Sequence, residues 1–257
     1  MSDIARGGPR VVEVIDVRKR FDGPDVLRGL SFDAHKGETL VVMGGSGSGK
    51  TVLLRLIAGL IKPDRGQLRV FGENIEGLGE EDLLRVRRRM GFVFQGAALF
   101  DSLTVFENVA YPLREHTRLP EPTIRARVVE ALGRVGLGED VLPLLPAELS
   151  GGMRKRVGIA RALMVDPEIM LYDEPTAGLD PTNAHLVADL ISEVQARVCD
   201  TSLVVTHDLE LTRAVATRVA VLIDGRFAAL GPRNAVLDSD EPAVRAFLTG
   251  EATSRRV

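Results

Sequence analysis

At 257 residues the chain can form one large domain, or a domain carrying a sub-domain. It is 45% hydrophobic and 27% charged, with a net charge of −3, few aromatic residues and no tryptophan, so it lacks both the basic surplus and the stacking rings of a nucleic-acid binder. One cysteine, Cys199, excludes an intrachain disulfide framework and points to a reducing compartment; residues 1–10 hold no apolar signal core, and no apolar run reaches the roughly 18 residues of a membrane span.

In chain order, residues 1–9 are Gly-rich and expected to fray. Residues 11–17 mix apolar and acidic side chains as an edge strand would, 18–24 read as a turn, and 27–33 as another short strand. Lys36-Gly37-Glu38 turns the chain into 39–43, an apolar run that reads as a buried strand. Then comes Gly44-Gly45-Ser46-Gly47-Ser48-Gly49-Lys50-Thr51, a match to G-x-x-x-x-G-K-[ST], followed by a helix over 51–60. Glycines let such a loop wrap so that backbone N–H groups point inward at an anion, and the positive end of the helix dipole adds to the same spot. Lys50 would reach the β- and γ-phosphates of a nucleoside triphosphate, and the Thr51 hydroxyl would hold Mg²⁺. The competing reading is a Gly/Ser-rich turn; a strand before and a helix after argue against it.

The helix stops at Lys62-Pro63-Asp64-Arg65-Gly66, and 67–71 read as a strand leading to a turn at 72–74, so an antiparallel sheet is expected beside the loop-bearing strand. Residues 82–89 form a basic amphipathic helix. Its arginines could be a phosphate patch, but Leu83, Leu84, Val86 and Met90 mark a buried side and favour a solvated face. A short strand over 91–94 delivers Gln95, whose amide can reach Mg²⁺ or water. From 96 to 165 helical spacing at 105–110, 124–135 and 153–164 is broken by Pro112, Pro120, Pro122, Pro143 and Pro146, which marks a helical sub-domain. A strand at 169–172 follows. Asp180 and Pro181 open a helix to about 198, with Cys199 as a small core or boundary residue. Residues 202–205 read as a strand, 209–216 as a helix, 219–223 and 226–230 as a hairpin turning at Asp224-Gly225, 242–248 as a last helix and 251–257 as a loose tail.

Three further groups carry chemistry. The strand 169–172 runs into Asp173 and Glu174. Adjacent acids on a strand face opposite ways, so Asp173 is assigned to the metal and Glu174 to an attacking water. Ser150-Gly151-Gly152 opens a helix and would be a second anion site by the physics of the first; an ordinary Ser N-cap competes with that reading. One chain hardly needs two cradles for one triphosphate, so this one is expected to cover the nucleotide of another copy. His207, at the end of the 202–205 strand, could touch the γ-phosphate. His116 and His185 read as surface residues.

Taken in order, the loop at 44–51, Gln95, Leu149-Ser150-Gly151-Gly152, Leu171-Tyr172-Asp173-Glu174, Gly178-Leu179-Asp180 and His207 resemble the ATP-binding subunits of ABC transporters over nearly the whole chain. The resemblance implies a P-loop NTPase of ABC type: an α/β protein with a mixed-sheet core (10–95 and 166–240), an antiparallel β sub-domain, an inserted helical sub-domain (96–165) and a C-terminal helix and tail (241–257), all within one ATPase domain, 10–257. It implies ATP and Mg²⁺ as ligands and a head-to-tail homodimer with ATP at the interface. Gly44, Gly45, Ser46, Gly47, Ser48, Gly49, Lys50, Thr51, Val52, Gln95 and Phe21, the last as the ring under adenine, would bind ATP. Ser150, Gly151, Gly152 and Asp180 would contact it from the second copy. Thr51, Gln95 and Asp173 would hold the metal, and Glu174, His207 and Lys50 would be catalytic. The groove at 95–100 would receive a membrane-embedded permease. A narrower likeness, over 94–100 and 107–117 and at Met153, is to the ATPases of Mla/Mce-type phospholipid transport systems. It implies lipid movement between inner and outer membranes, an Mce-domain lipid-binding partner, and a peripheral position on the cytoplasmic side of the inner membrane. The alternatives are import of another solute such as amino acids, a regulatory cassette acting away from membranes, and a phosphate-loop kinase.

Overall fold

In the computed structural model, which describes residues 8–250, the chain forms two units, one from the chain up to Arg87 and from Asp200 onward, the other from Arg88–Cys199. The tail expected at 251–257, and residues 1–7 of the stretch 1–9 expected to fray, lie outside the described residues.

The first unit opens with β1 (Arg10–Arg20) and β2 (Asp25–His35), an antiparallel pair. After β3 (Thr39–Gly44) and α1 (Lys50–Ile57) come β4 (Arg65–Val70), β5 (Glu73–Asn74) and α2 (Glu80–Arg87). The antiparallel sheet has the order β2-β1-β4-β5, so β1 is an interior strand and not the edge strand its sequence suggested. An antiparallel sheet can keep one face wet. Val12, Val14 and Val17 are buried on one side, while Glu13 pairs with Arg10 (2.7 Å) and Arg69 (3.3 Å) on the other. The acidic residues thus mark a solvated face rather than an edge. β1 also extends to Arg20, leaving only 21–24 for the turn.

Strand β3 lies parallel to β8 (Ser202–Thr206) on one side and to β9 (Arg218–Ile223) on the other, with β10 (Arg226–Pro232) antiparallel beyond β9. Every residue of β3 and β8 is buried, as expected of parallel strands covered on both faces. The β9–β10 turn has positive φ at both Asp224 (48°) and Gly225 (74°), the type I′ geometry that Asp-Gly favours. Phe32 of β2 meets Phe227 of β10 edge to face, 5.5 Å between centroids, and joins the two sheets. Helices α7 (Leu209–Val215), α8 (Arg233–Leu237) and α9 (Pro242–Thr249) complete the unit. The α2 arginines are spent on ion pairs, Arg85 with Glu73 and Arg87 with Glu80, while Leu83 and Val86 are buried; Leu84 faces solvent.

The second unit pairs β6 (Met90–Val93) with β7 (Ile169–Asp173) in parallel, and holds α3 (Val105–His116), α4 (Glu121–Arg134), α5 (Gly151–Leu163) and α6 (Pro181–Arg197). α5 packs against α3, α4, α6 and β6. Pro112 does not break its helix but sits inside α3. An interior proline costs about 3 kcal/mol; burial of Val109, Ala110 and Leu113 and a Thr104–Glu107 capping box hold the helix in spite of it. Pro120 and Pro122 start α4 rather than interrupt it. Cys199 is buried just past α6.

Candidate functional site

The loop at 44–51 is shaped by glycine where no other residue fits. Gly49, the N-cap of α1, has φ 106°, and a Cβ on Gly44 would fall 2.6 Å from both the Leu222 carbonyl oxygen and Ser48 Oγ. Gly49 offers no side chain to cap α1, and the first turn carries no acidic residue. The start of the helix therefore has neither a side-chain cap nor an acid to offset its positive potential. Lys50 is buried and folds back so that Nζ donates to the carbonyls of Gly44 (2.7 Å) and Gly45 (3.0 Å). Ser48 Oγ is buried with no hydrogen-bond partner among the described residues. Buried hydroxyls are rarely left so, and this one lies in a loop of anion-binding shape. A cavity of about 490 Å³ opens beside Gly45, Ser46, Gly47 and Ser48. Thr51 and Val52 follow in the first turn of α1, both half-buried.

Met43 pairs with Thr206 in parallel register, so His207 leaves β8 at the end where the loop leaves β3; it is exposed. Its neighbour Asp208 caps α7, accepting from the N–H groups of Glu210 and Leu211. Phe21 is 52% exposed, with Lys19 Nζ 5.3 Å from its ring centroid, and it does not line the cavity beside the loop.

In the second unit, parallel register sets Val93 opposite Tyr172, so Gln95 and Glu174 lie just past the same ends of adjacent strands. Asp173 ends β7 and Glu174 follows at φ 46°, both buried. This corrects one step of the sequence argument: strand alternation does not reach Glu174, whose left-handed backbone re-aims it after the strand has stopped. Between these residues lies Lys155, a residue the sequence reading did not single out within the 153–164 helix. It is buried, and its Nζ donates to the Gln95 carbonyl and, at 3.1 Å, to the Glu174 carbonyl. Burial lowers the proton affinity of its ammonium, while Asp173 and Glu174 act in the opposite sense. The signal was spacing: Gly152, Lys155, Ile159 and Ala162 share one buried face of α5. Two turns on from Lys155, Arg161 donates to the carbonyls of Ala97 (2.8 Å) and Ala98 (2.9 Å), two residues with positive φ.

Ser150 is exposed and caps α5, accepting from the Met153 N–H at 3.2 Å, so the plain capping role exists alongside an outward-facing hydroxyl. A Cβ on Gly152 would fall 2.5 Å from Asn183 Oδ1. Asn183 donates to Asp180 through its backbone N–H (3.0 Å) and its side-chain amide (2.6 Å). These bonds, the backbone one first, hold the Asp180 carboxyl below the usual carboxylate range. Ser150, Gly152 and Asp180 are thereby brought together at the N-terminal ends of α5 and α6. Among the described residues no cluster of three or more His, Cys, Asp and Glu is placed to hold a metal. Mg²⁺ commonly sits on one or two protein groups plus phosphates and waters, which suits a site lacking such a cluster.

Residues 27–177 match the ABC transporter family. The chain is 41% identical over 93% of its length, and 69% of the relative's, to the probable ribonucleotide transport ATP-binding protein mkl of Mycobacterium leprae. It is 40% identical over 94% of its length, and 90% of the relative's, to the intermembrane phospholipid transport system ATP-binding protein MlaF of Escherichia coli. Among solved structures it resembles the dimeric ATP-binding cassette MJ0796 in a post-hydrolysis state with ADP and Pi, with a TM-score of 0.81 and 33% identity over 86% of this chain and 98% of that one.

Proposed function

This chain belongs to the ABC transporter family as an ATP-binding subunit that hydrolyses ATP to drive transport, and from that premise we propose that it powers phospholipid movement between two membranes. The observation that carries the lipid reading is the 40% identity to MlaF across 90% of that protein. The aromatic pair Phe100–Tyr111 supports a docking role for the helical segment: the rings lie 4.9 Å apart, 44% and 40% exposed, in the stretch expected to meet a permease. No described helix is long and apolar enough to cross a membrane. The likeness to MlaF is what supports action at the cytoplasmic side of the inner membrane through a permease, with an Mce-domain protein as the lipid carrier. The equal similarity to mkl, named for ribonucleotide transport, keeps a second cargo in view. Purifying the full-length chain with its membrane partners and identifying the bound molecules by mass spectrometry separates the two: phospholipid supports the proposal, and nucleotide cargo without phospholipid sinks it.

For the chemistry, the loop N–H groups, Lys50 and Ser48 would grip the phosphates, and Thr51, Gln95 and Asp173 are the residues that would hold Mg²⁺, which would neutralise phosphate charge. Phe21 would stack on the adenine. Glu174 orients or deprotonates the water, and His207 stabilises charge on the γ-phosphate. A second copy of the chain lends Ser150, Gly151, Gly152 and Asp180, so closure of a homodimer completes each site. The Glu174→Gln variant should lose turnover by about 100-fold or more while still binding ATP; turnover at the parental rate would falsify the assignment.

A further inference from the structure

Helix α5 begins at Ser150 and carries three residues on one stripe, Lys155, Gly158 and Arg161, spaced three apart. Each meets the segment that follows β6. Lys155 Nζ donates to the carbonyl of Gln95. Gly158 sits where a Cβ would come within 3.2 Å of the Ala97 Cβ, so the glycine lets helix and loop close up. Arg161 donates to the carbonyls of Ala97 and Ala98. A glycine in a helix interior sacrifices about 1 kcal/mol relative to alanine, which the close approach explains. Lys155 does one thing more: the same ammonium donates to the carbonyl of Glu174 on the neighbouring strand end.

A buried ammonium needs partners to offset its lost hydration. Here the partners are two main-chain carbonyls belonging to two site residues. Gln95 has left its strand, Ala97 and Ala98 have φ of 61° and 47°, and Glu174 has φ 46°. Nonglycine residues in that region hold it only when their surroundings over-determine them. The Lys155 and Arg161 hydrogen bonds supply that determination from a single rigid helix.

We propose that Lys155 is a positioning residue for hydrolysis, holding the Gln95 and Glu174 main chains in one geometry tied to the helix that starts at Ser150. The proposal rests on the reading of Glu174 and Gln95 given above. It goes beyond that reading by making the α5 stripe the part that keeps the two residues in step. Neither carbonyl is part of the reacting groups, so Lys155 acts through placement: its loss should reduce turnover and leave ATP binding intact.

The test is steady-state ATP hydrolysis and separate ATP binding by the full-length chain, with Lys155→Met, Lys155→Arg and Glu174→Gln compared in parallel. A misplaced reacting group costs up to about 100-fold, so K155M should lose about 10- to 100-fold in kcat. Its KM and its ATP dissociation constant should stay within about threefold of the parent, the pattern of an effect on the transition state and not on binding. K155R, which still donates to both carbonyls, should recover most of the loss. K155M turning over at the parental rate while E174Q is dead overturns the inference and spares the reading of Glu174; an active E174Q overturns both. K155R no better than K155M, with ATP affinity and melting temperature unchanged in each, also overturns it. Should K155M fail to fold, Lys155→Gln, a shorter and uncharged donor, is read by the same criteria.

Discussion

Two helices of this protein start at a Ser-Gly pair, Ser48-Gly49 and Ser150-Gly151, and they are built in opposite ways. At α1 the cap is Gly49, which has no side chain to offer; the first turn holds no acid, and the nearby Ser48 hydroxyl is buried without a partner. At α5 the cap is Ser150, whose oxygen accepts from Met153, and the helix's own lysine is turned inward to two carbonyls. One terminus has no side-chain cap and no acid in its first turn, which leaves its positive potential for an anion. The other is satisfied locally and shows only an outward hydroxyl. The same sequence feature, a Ser-Gly pair at a helix start, therefore gives an uncapped terminus in one place and a serine-capped one in the other. The difference lies in the cap residue, since Lys50 and Lys155 are both buried and both donate to two main-chain carbonyls.

The largest effect should come from Lys50. A hydrogen bond to a charged group is worth about 1.5–3 kcal/mol, so Lys50→Met should weaken ATP binding by about 10- to 100-fold in equilibrium titration. An unchanged affinity would remove α1 from the comparison. Next come the two serines, read by thermal unfolding without nucleotide. Ser150→Ala loses an N-cap and should destabilise by about 1 kcal/mol. Ser48→Ala removes an unpartnered buried hydroxyl and should cost nothing, or stabilise. If both variants melt alike, the two termini are not built differently.

The smallest effect concerns Asp180, which caps α6 beside Gly152. Its folded-state pKa is depressed by the Asn183 hydrogen bonds. Such a group adds stability above its unfolded pKa and loses it as pH falls through the folded value. Melting temperature should therefore drop on acidification below the ordinary aspartate range. Asp180→Asn can still cap but does not titrate, so it should flatten that acid limb; parallel pH profiles for the two proteins would show that Asp180 contributes none of it.

The elements read most easily were those whose local signals agree. The Asp-Gly hairpin, the Asp180-Pro181 helix start and the apolar strand before the loop all stand within a residue or two of their expected places. The misreadings came where neighbours overrule local pattern. Glu13 and Asp16 suggested an edge, but β4 lies alongside β1. Pro112 suggested a break, but packing carries α3 through it. The short helix α8 had no local signal strong enough to predict it.

The site divides along the same line. The order and spacing of the loop, Gln95, Ser150, Glu174, Asp180 and His207 were written in the chain, because phosphate-binding loops, caps and strand ends depend on residue types a few positions apart. Lys155 was not. Arg154-Lys155-Arg156 looks like a solvated charge run, and only the fold of Arg88–Cys199 turns the middle residue inward to the carbonyls of Gln95 and Glu174, 60 and 19 residues away. By itself the sequence named candidate groups for binding and cleaving a triphosphate, since that is a matter of local chemistry. Only the tertiary structure decided which charge is buried and which main chains it holds, since burial depends on what distant segments cover.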